Sequence, residues 1–289
     1  MSSENVLKFL SEPTTLASLA AVAAASMMYV TSRPTPLKCP VDPNEQSVEV
    51  PGEGRARRTA LSEELIEHFY DNVNTLYEGF MRGVQLAGDK PCLGWRKDYD
   101  QEYQWLTYNE VDERALCFGS GLLELGVEAG PETFIGIYSQ NKVEWVLAEQ
   151  GCNRFSMVII PLYDTLGPDA CAFIINQARI KITVCDASKV ETLLKNVDKC
   201  EDLKYIIKIG DSVTEEEQER AKEHGVEIVT FNDIEERGRK AKKEPVIPKR
   251  DSLATICYTS GTTGNPKGAM MTHANMVSEV SAIQFMLAK

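Results

Sequence analysis

Between residues 134 and 258, short apolar runs alternate with amphipathic stretches, and this alternation limits the fold more than any other feature of the sequence. Residues 134–138, 157–162, 182–185, 205–209, 226–230 and 253–258 each read as strands. They are short, rich in Ile and Val and nearly uncharged, as strands covered on both faces must be. Most of the segments between them read as helices. Asn141 opens one that runs to about Phe155, and the Gly167-Pro168 pair starts another. Strands joined through helical crossovers pair in parallel, so the pattern predicts an α/β fold with mainly parallel sheets covered by helices. Upstream, residues 92–96 and 103–106 read as a hairpin, and Thr107-Tyr108-Asn109-Glu110 is a capping box opening a helix to about Leu125. The spacing of Leu65, Ile66 and Phe69, then Leu76, Tyr77 and Phe80, predicts helix from Leu61 onward. With 289 residues and no internal repeat, the chain can hold one large domain or two ordinary ones.

A run of 20 uncharged residues, 13–32, stands between Glu12 and Arg33. As a helix it would measure about 30 Å, the hydrocarbon thickness of a bilayer. Ala, Ser and Thr dominate it, with Leu only at Leu16 and Leu19, so the run is weakly apolar. Arg33 and Lys38 follow it, whereas Lys8 on the other side is flanked by Glu4 and Glu12. That bias puts the body of the protein on the cytosolic side. The sequence therefore divides into an N-terminal tail, 1–12, a transmembrane anchor in the lipid bilayer, 13–32, a tether, 33–60, and a globular part, 61–289. Pro34, Pro36, Pro40, Pro43 and Pro51 predict that the tether is extended. Two other readings of the run stay open: a cleaved signal peptide with Ala23-Ala24-Ala25 at its cleavage site, and a helix with no targeting role.

Composition excludes several classes. Lys and Arg total 31 against 43 Asp and Glu, a formal net charge of −12 that argues against a nucleic-acid partner. The 8 cysteines are never closer than 14 positions, and His68, His224 and His273 stand apart from one another, so no metal-ligand set is assigned. The thiols read as small buried hydrophobes in a reducing compartment, Cys257 among them. The mixed charges of residues 214–243 read as a solvated helical face, and Trp95, Trp105 and Trp145 read as core.

One stretch carries chemistry: Tyr258-Thr259-Ser260-Gly261-Thr262-Thr263-Gly264-Asn265-Pro266-Lys267-Gly268. It follows an expected buried strand and precedes a short strand, 269–271, and a helix from about His273. Its hydroxyls and backbone N–H groups can donate to a polyphosphate, glycine lets the backbone approach an anion, and Lys267 adds a positive charge. Ligands of open α/β sheets bind at the carboxyl ends of strands, where this loop would sit. It is not a Walker A loop, because Lys267 follows Pro266 and precedes Gly268. Two further candidates are weaker. Tyr163-Asp164-Thr165 reads as a structural turn rather than a catalytic carboxylate, and His273 as a residue of a helix cap.

The eleven-residue string resembles the phosphate-loop signature of the adenylate-forming superfamily. Pro91-Cys92-Leu93-Gly94-Trp95, Trp105-Leu106-Thr107-Tyr108, Gly136-Ile137-Tyr138-Ser139-Gln140-Asn141 and the segment from Pro161 to Pro168 narrow the resemblance to the eukaryotic long-chain acyl-CoA synthetases. The resemblance implies a ligase in which a long-chain fatty acid attacks ATP to give an acyl-adenylate, and CoA then displaces AMP. Mg²⁺ would screen the two anionic reactants. By the same resemblance Thr259, Ser260, Thr262, Thr263 and Lys267 would contact the ATP phosphates, with Gly261 and Gly264 shaping the loop. It also implies a cytosolic catalytic domain on the endoplasmic reticulum, the mitochondrial outer membrane or the peroxisome. Family members run to more than twice this length, so residues 61–289 are expected to be an incomplete AMP-binding domain. The catalytic residues and the adenine and magnesium motifs are expected beyond residue 289, leaving this chain inactive alone. Two alternatives stand beside that reading, a non-catalytic membrane-bound short isoform and a ligase for another carboxylic acid.

Overall fold

The structure, a computed structural model, describes residues 13–33, 42–52, 54–96, 98–167, 169–260 and 265–288. It divides into two compact units, Met1–Leu65 and Ile66–Lys289.

The first unit contains helix α1 (Pro13–Thr31), which is long and apolar enough to cross a membrane. Its 19 residues extend about 28 Å, and Met27, Met28, Tyr29 and Val30 are all exposed. Within the proline-bearing segment, expected to be an extended tether, the described residues 47–59 fold back on themselves. Strand β1 (Ser47–Glu49) pairs antiparallel with β2 (Arg57–Thr59). Between them Gly52, Gly54 and Arg55 all take positive φ, which lets the chain reverse. The Arg57 guanidinium then donates to the Ser47 hydroxyl and carbonyl, both at 2.8 Å.

The second unit begins without the helix expected from Leu61. Residues 66–75 are irregular, and α2 spans Leu76–Ala87. The apolar spacing is interrupted by Asp71, Asn72 and Asn74. Thr75 then closes a capping box with Glu78, and this box fixes where the helix starts. Upstream the backbone finds partners outside any helix: the Ile66 carbonyl accepts from Ser278 and the Phe69 N–H donates to Ser281. Strands β3 (Pro91–Trp95) and β4 (Gln104–Thr107) form the expected hairpin. Trp105, expected in the core, is 54% exposed. A lone two-stranded ribbon covers one face of the ring, and the indole lies over Gly94, where a β-carbon would meet it at 2.7 Å.

The remaining elements follow in α/β order: α3 (Tyr108–Glu124), β5 (Phe134–Tyr138), α4 (Val143–Arg154), β6 (Val158–Pro161), α5 (Ala170–Gln177), β7 (Ile182–Asp186), α6 (Ala187–Leu194), β8 (Tyr205–Ile209), α7 (Glu215–Glu223), β9 (Glu227–Thr230), α8 (Phe231–Lys240), β10 (Leu253–Thr259), β11 (Lys267–Thr272) and α9 (His273–Leu287). Seven strands make one sheet in the order β11-β10-β6-β5-β7-β8-β9. Every pairing is parallel except β10 with β11.

Alternating side chains divide the core between the two faces. In β8, Ile206 joins the cluster holding Ile174, Ile175, Val190 and Leu193, whereas Ile207 and Ile209 join Phe118, Leu147, Phe155 and Phe231. Each fully buried apolar side chain of this size contributes about 1.5–3 kcal/mol. The charged region 214–243 is not uniformly a solvated face. Phe231 and Ile234 are core, and buried Glu235 takes a bidentate pair from Arg114 at 2.7 and 2.9 Å. Cys117, Cys152, Cys185 and Cys200 are buried free thiols, as expected, and Cys92, Cys171 and Cys257 are half-buried.

Helices α3 and α8 pack backbone against backbone. A β-carbon on Gly238 would stand 1.8 Å from the Cys117 carbonyl oxygen, and one on Gly121 would stand 2.0 Å from that of Ile234. The close approach also stacks Phe118 on Phe231 with centroids 4.2 Å apart. Gly238→Ala should therefore lower the unfolding free energy by about 1–3 kcal/mol or more, because the obstacle is backbone and cannot rotate away. Urea denaturation checks this; an unchanged midpoint would show that the helices separate at little cost.

Candidate functional site

The site is built by the one antiparallel pairing of the large sheet. Strand β10 runs parallel to β6, so its last residue, Thr259, reaches the carboxyl edge of the sheet. The chain turns there and returns as β11, with Thr259 opposite Lys267 and Tyr258 opposite Gly268. The Thr259 hydroxyl donates to the Lys267 carbonyl at 3.5 Å. Gly268 permits the close return, since a β-carbon on it would meet Ile256 at 2.7 Å and the Tyr258 ring at 3.1 Å. Tyr258 is buried and donates its hydroxyl to Gln177 at 2.8 Å, fixing this end of β10 to the end of α5.

Of the seven residues singled out in the sequence, Thr259, Ser260 and Lys267 are described, and all three are exposed. Gly261, Thr262, Thr263 and Gly264 lie outside the described residues. Pairing across the base of the loop brings Thr259 and Lys267 together, although they are eight positions apart. Pro266, Lys267 and Gly268 also line a groove of about 860 Å³ whose wall carries Arg179 and Lys181. Three cations thus share one groove beside the loop. Glu132 and Asp202 line it as well.

Behind the loop the carboxyl edge is tied together by polar contacts. Asp164 lies in a short 3₁₀ turn after β6, where it accepts from Lys189 of α6 and from the Tyr138 hydroxyl at the end of β5. Lys189 and then Tyr138 hold its carboxyl below the ordinary aspartate value. Asp164 is thereby occupied as a link between three crossover connections, in keeping with a structural turn. Neighbouring Tyr163 has a phenol pushed up by burial and then by its contact with Cys257 on β10.

His273 does more than sit near a cap. Thr272 and Asn275 form the capping box of α9, and His273 follows as a fully buried side chain. Its Nδ1 accepts from the Leu76 N–H at 3.2 Å, satisfying one of the free donors at the start of α2. The strand leaving the loop is thus joined to α2, 197 positions away in sequence. No local pattern signals a contact of that separation. Burial pushes its pKa down to about 4, outweighing the charge of Glu78.

Comparison with known proteins places this geometry. Residues 80–288 match the AMP-binding enzyme family, and the chain belongs to it. It is 48% identical over 273 residues to long-chain-fatty-acid–CoA ligase 1 of Homo sapiens, covering 93% of this chain and 39% of that protein. It is 44% identical to ligase 6 of Mus musculus over the same span of 273 residues, again 93% of this chain and 39% of the other. Among solved structures, a long-chain-fatty-acid–CoA ligase from Archaeoglobus fulgidus aligns with a TM-score of 0.59 at 17% identity. That alignment covers 79% of this chain and 42% of the other, and it shows the shared fold. The chain thus spans about two fifths of the length of the curated relatives it matches.

The imidazole gives a pH test. The unfolded chain takes up a proton on His273 near pH 6.5, whereas the folded chain resists until about pH 4. Between those values acid favours the unfolded state at this residue, so the contribution of His273 to stability should fall as pH drops from 6.5 to 4, whereas Glu149, raised to about 7 by burial, contributes in the opposite sense. His273→Asn keeps an acceptor near the Nδ1 position and does not titrate. The wild-type urea midpoint minus that of the variant should fall as pH drops through that window; a difference that does not change with pH would sink the assignment.

Proposed function

We propose that this chain carries the ATP-phosphate-binding loop and part of the AMP-binding domain of a long-chain fatty acid–CoA ligase. The observation that carries the proposal is the β10–β11 corner, which sets a Thr, Ser, Gly and Lys loop at the carboxyl edge of a parallel sheet. The 44–48% identity to long-chain ligases supports the substrate class. In the reaction a fatty carboxylate attacks the α-phosphorus of ATP, pyrophosphate leaves, and the CoA thiol then displaces AMP from the acyl-adenylate.

The chain's own contribution is to hold the polyphosphate. Thr259, Ser260, Thr262 and Thr263 would donate hydroxyl hydrogen bonds to phosphate oxygens, Gly261 and Gly264 would admit the anion to the backbone, and the Lys267 ammonium would offset charge on the leaving pyrophosphate. Mg²⁺ would supply further charge neutralisation on the phosphates. Among the described residues no group of three or more His, Cys, Asp or Glu could hold a metal. The catalytic residues and the CoA and acyl sites would lie in the part of the longer relatives that this chain does not span.

The test is made on the chain joined to the remaining portion of the human relative. Lys267→Ala should slow palmitate-dependent pyrophosphate exchange by about 10²–10³-fold, the range for loss of one charge-stabilising donor. Thr262→Ala should act in the same direction. Unchanged rates in both variants would refute the loop assignment. A series of shorter and aromatic acids on the same fusion would expose a different substrate class.

The N-terminal division belongs to the same proposal: residues 13–32 as a transmembrane anchor, 33–60 as a tether and 61–289 as the incomplete AMP-binding domain. It places the domain on the cytosolic face of the endoplasmic reticulum, the mitochondrial outer membrane or the peroxisome. The exposed apolar surface of α1 supports it, and the hairpin in residues 47–59 shortens the reach of the tether. The intact chain should float with phosphatidylcholine vesicles after carbonate washing, and a chain lacking residues 1–33 should stay in the soluble fraction. Equal flotation would place the membrane contact elsewhere.

A further inference from the structure

The amino edge of the large sheet, at the opposite end of the strands from the loop, carries a groove of about 640 Å³, within the range of small-molecule sites. Lys181 before β7, Lys204 before β8 and Lys222 in the last turn of α7 all line it. Strand register sets the first two side by side. Ile182 is opposite Tyr205 and Tyr205 is opposite Glu227, so Lys181, Lys204 and Val226 form one row across the starts of three parallel strands. The Lys204 N–H donates to the Lys181 carbonyl at 2.8 Å, and the Glu227 N–H donates to the Lys204 carbonyl at 2.9 Å. Neighbouring strands lie about 4.8 Å apart, and like charges on adjacent residues at that spacing destabilise a sheet.

The acid in the groove does not relieve that repulsion, because Glu227 is ion-paired with Arg237 at 3.7 Å. Elsewhere in the unit Lys142, Lys189, Lys199 and Lys208 each pair with an Asp or Glu. Among the described residues Lys181, Lys204 and Lys222 make no ion pair, although the chain carries a net charge of −12. The negative end of α7 accounts for Lys222, but not for the two lysines at the starts of β7 and β8. Their missing partner is an anion. A carboxylate brings one negative charge to three ammonium groups, whereas a phosphomonoester brings about −1.5 to −2 near pH 7 and three acceptor oxygens. Gln218 and Tyr205, on the same lining, can donate to the oxygens that the lysines leave free. We propose that this groove binds a phosphomonoester, its phosphate seated between Lys181 and Lys204 with Lys222 closing on it from α7, and its organic part against Leu125 and Val127.

The probe is glycerol 3-phosphate, titrated at constant ionic strength into the 289-residue chain held in phosphatidylcholine nanodiscs, with the valine methyl groups isotope-labelled. The expected result is a saturable shift of the Val127 and Val226 methyl resonances, which belong to the groove and not to the loop. The joint substitution Lys181→Gln and Lys204→Gln should weaken binding about tenfold or more, and acetate should give no saturable shift. A second set of nanodiscs, with about a tenth of the lipid replaced by phosphatidic acid, separates the sources of the group. Shifts there and none with glycerol 3-phosphate would assign the groove to a lipid headgroup, provided that the joint variant loses them. Should the joint variant fail to fold, Lys222→Gln alters an exposed position on α7 and should weaken the same shifts. No saturable shift with either probe would overturn the proposal. So would acetate binding as tightly as glycerol 3-phosphate, or binding unaffected by the substitutions.

Discussion

Parallel strands cannot be joined by tight turns, and this constraint shapes the whole second unit. Each return to the start of the next strand needs a crossover, and the crossovers bring helices to both faces of the sheet. Both faces are then buried, so the strands can be almost wholly apolar and their ends gather the polar chemistry. At the carboxyl edge Tyr138 at the end of β5, Asp164 in the turn after β6 and Lys189 of α6 meet in one set of contacts. The loop after β10 opens beside them. Only there does the sheet abandon parallel pairing, and the reversal at Thr259 and Lys267 holds the two ends of the loop together.

That arrangement explains why much was legible in the sequence. Residues 134–138 and 205–209 were expected as strands and are strands with those bounds, because a short apolar run between polar turns has few other solutions. The capping box at Thr107 and Glu110 likewise marks the start of α3. Where the reading failed, tertiary partners overruled local spacing. Leu65, Ile66 and Phe69 have helical spacing, yet the Ile66 carbonyl and the Phe69 N–H bond to serines of α9 more than 200 positions away. Trp105 was misplaced because a strand's burial depends on what covers it, and the β3–β4 ribbon is covered on one side only. Glu235 reads as one charge among many, and only the approach of α3 and α8 turns it into a buried partner for Arg114.

The candidate loop was legible for a different reason: its information lies in an ordered string and not in periodicity. What the string could not convey is its support. His273 ties the strand after the loop to α2, Gln177 anchors Tyr258, and Gly268 lets β11 lie against the Tyr258 ring. These contacts hold the base of a loop whose proposed task is to meet a charged nucleotide, and such a task needs donors fixed beforehand.

The central proposal is that this chain carries the phosphate-binding loop and part of the AMP-binding domain of a long-chain fatty acid–CoA ligase. The most direct measurement is palmitate- and CoA-dependent release of AMP from ATP by the chain joined to the remaining portion of the human relative, with the 289-residue chain alone assayed beside it. The account predicts AMP release by the fusion and none by the chain alone. A folded fusion that releases no AMP in the presence of palmitate would contradict it.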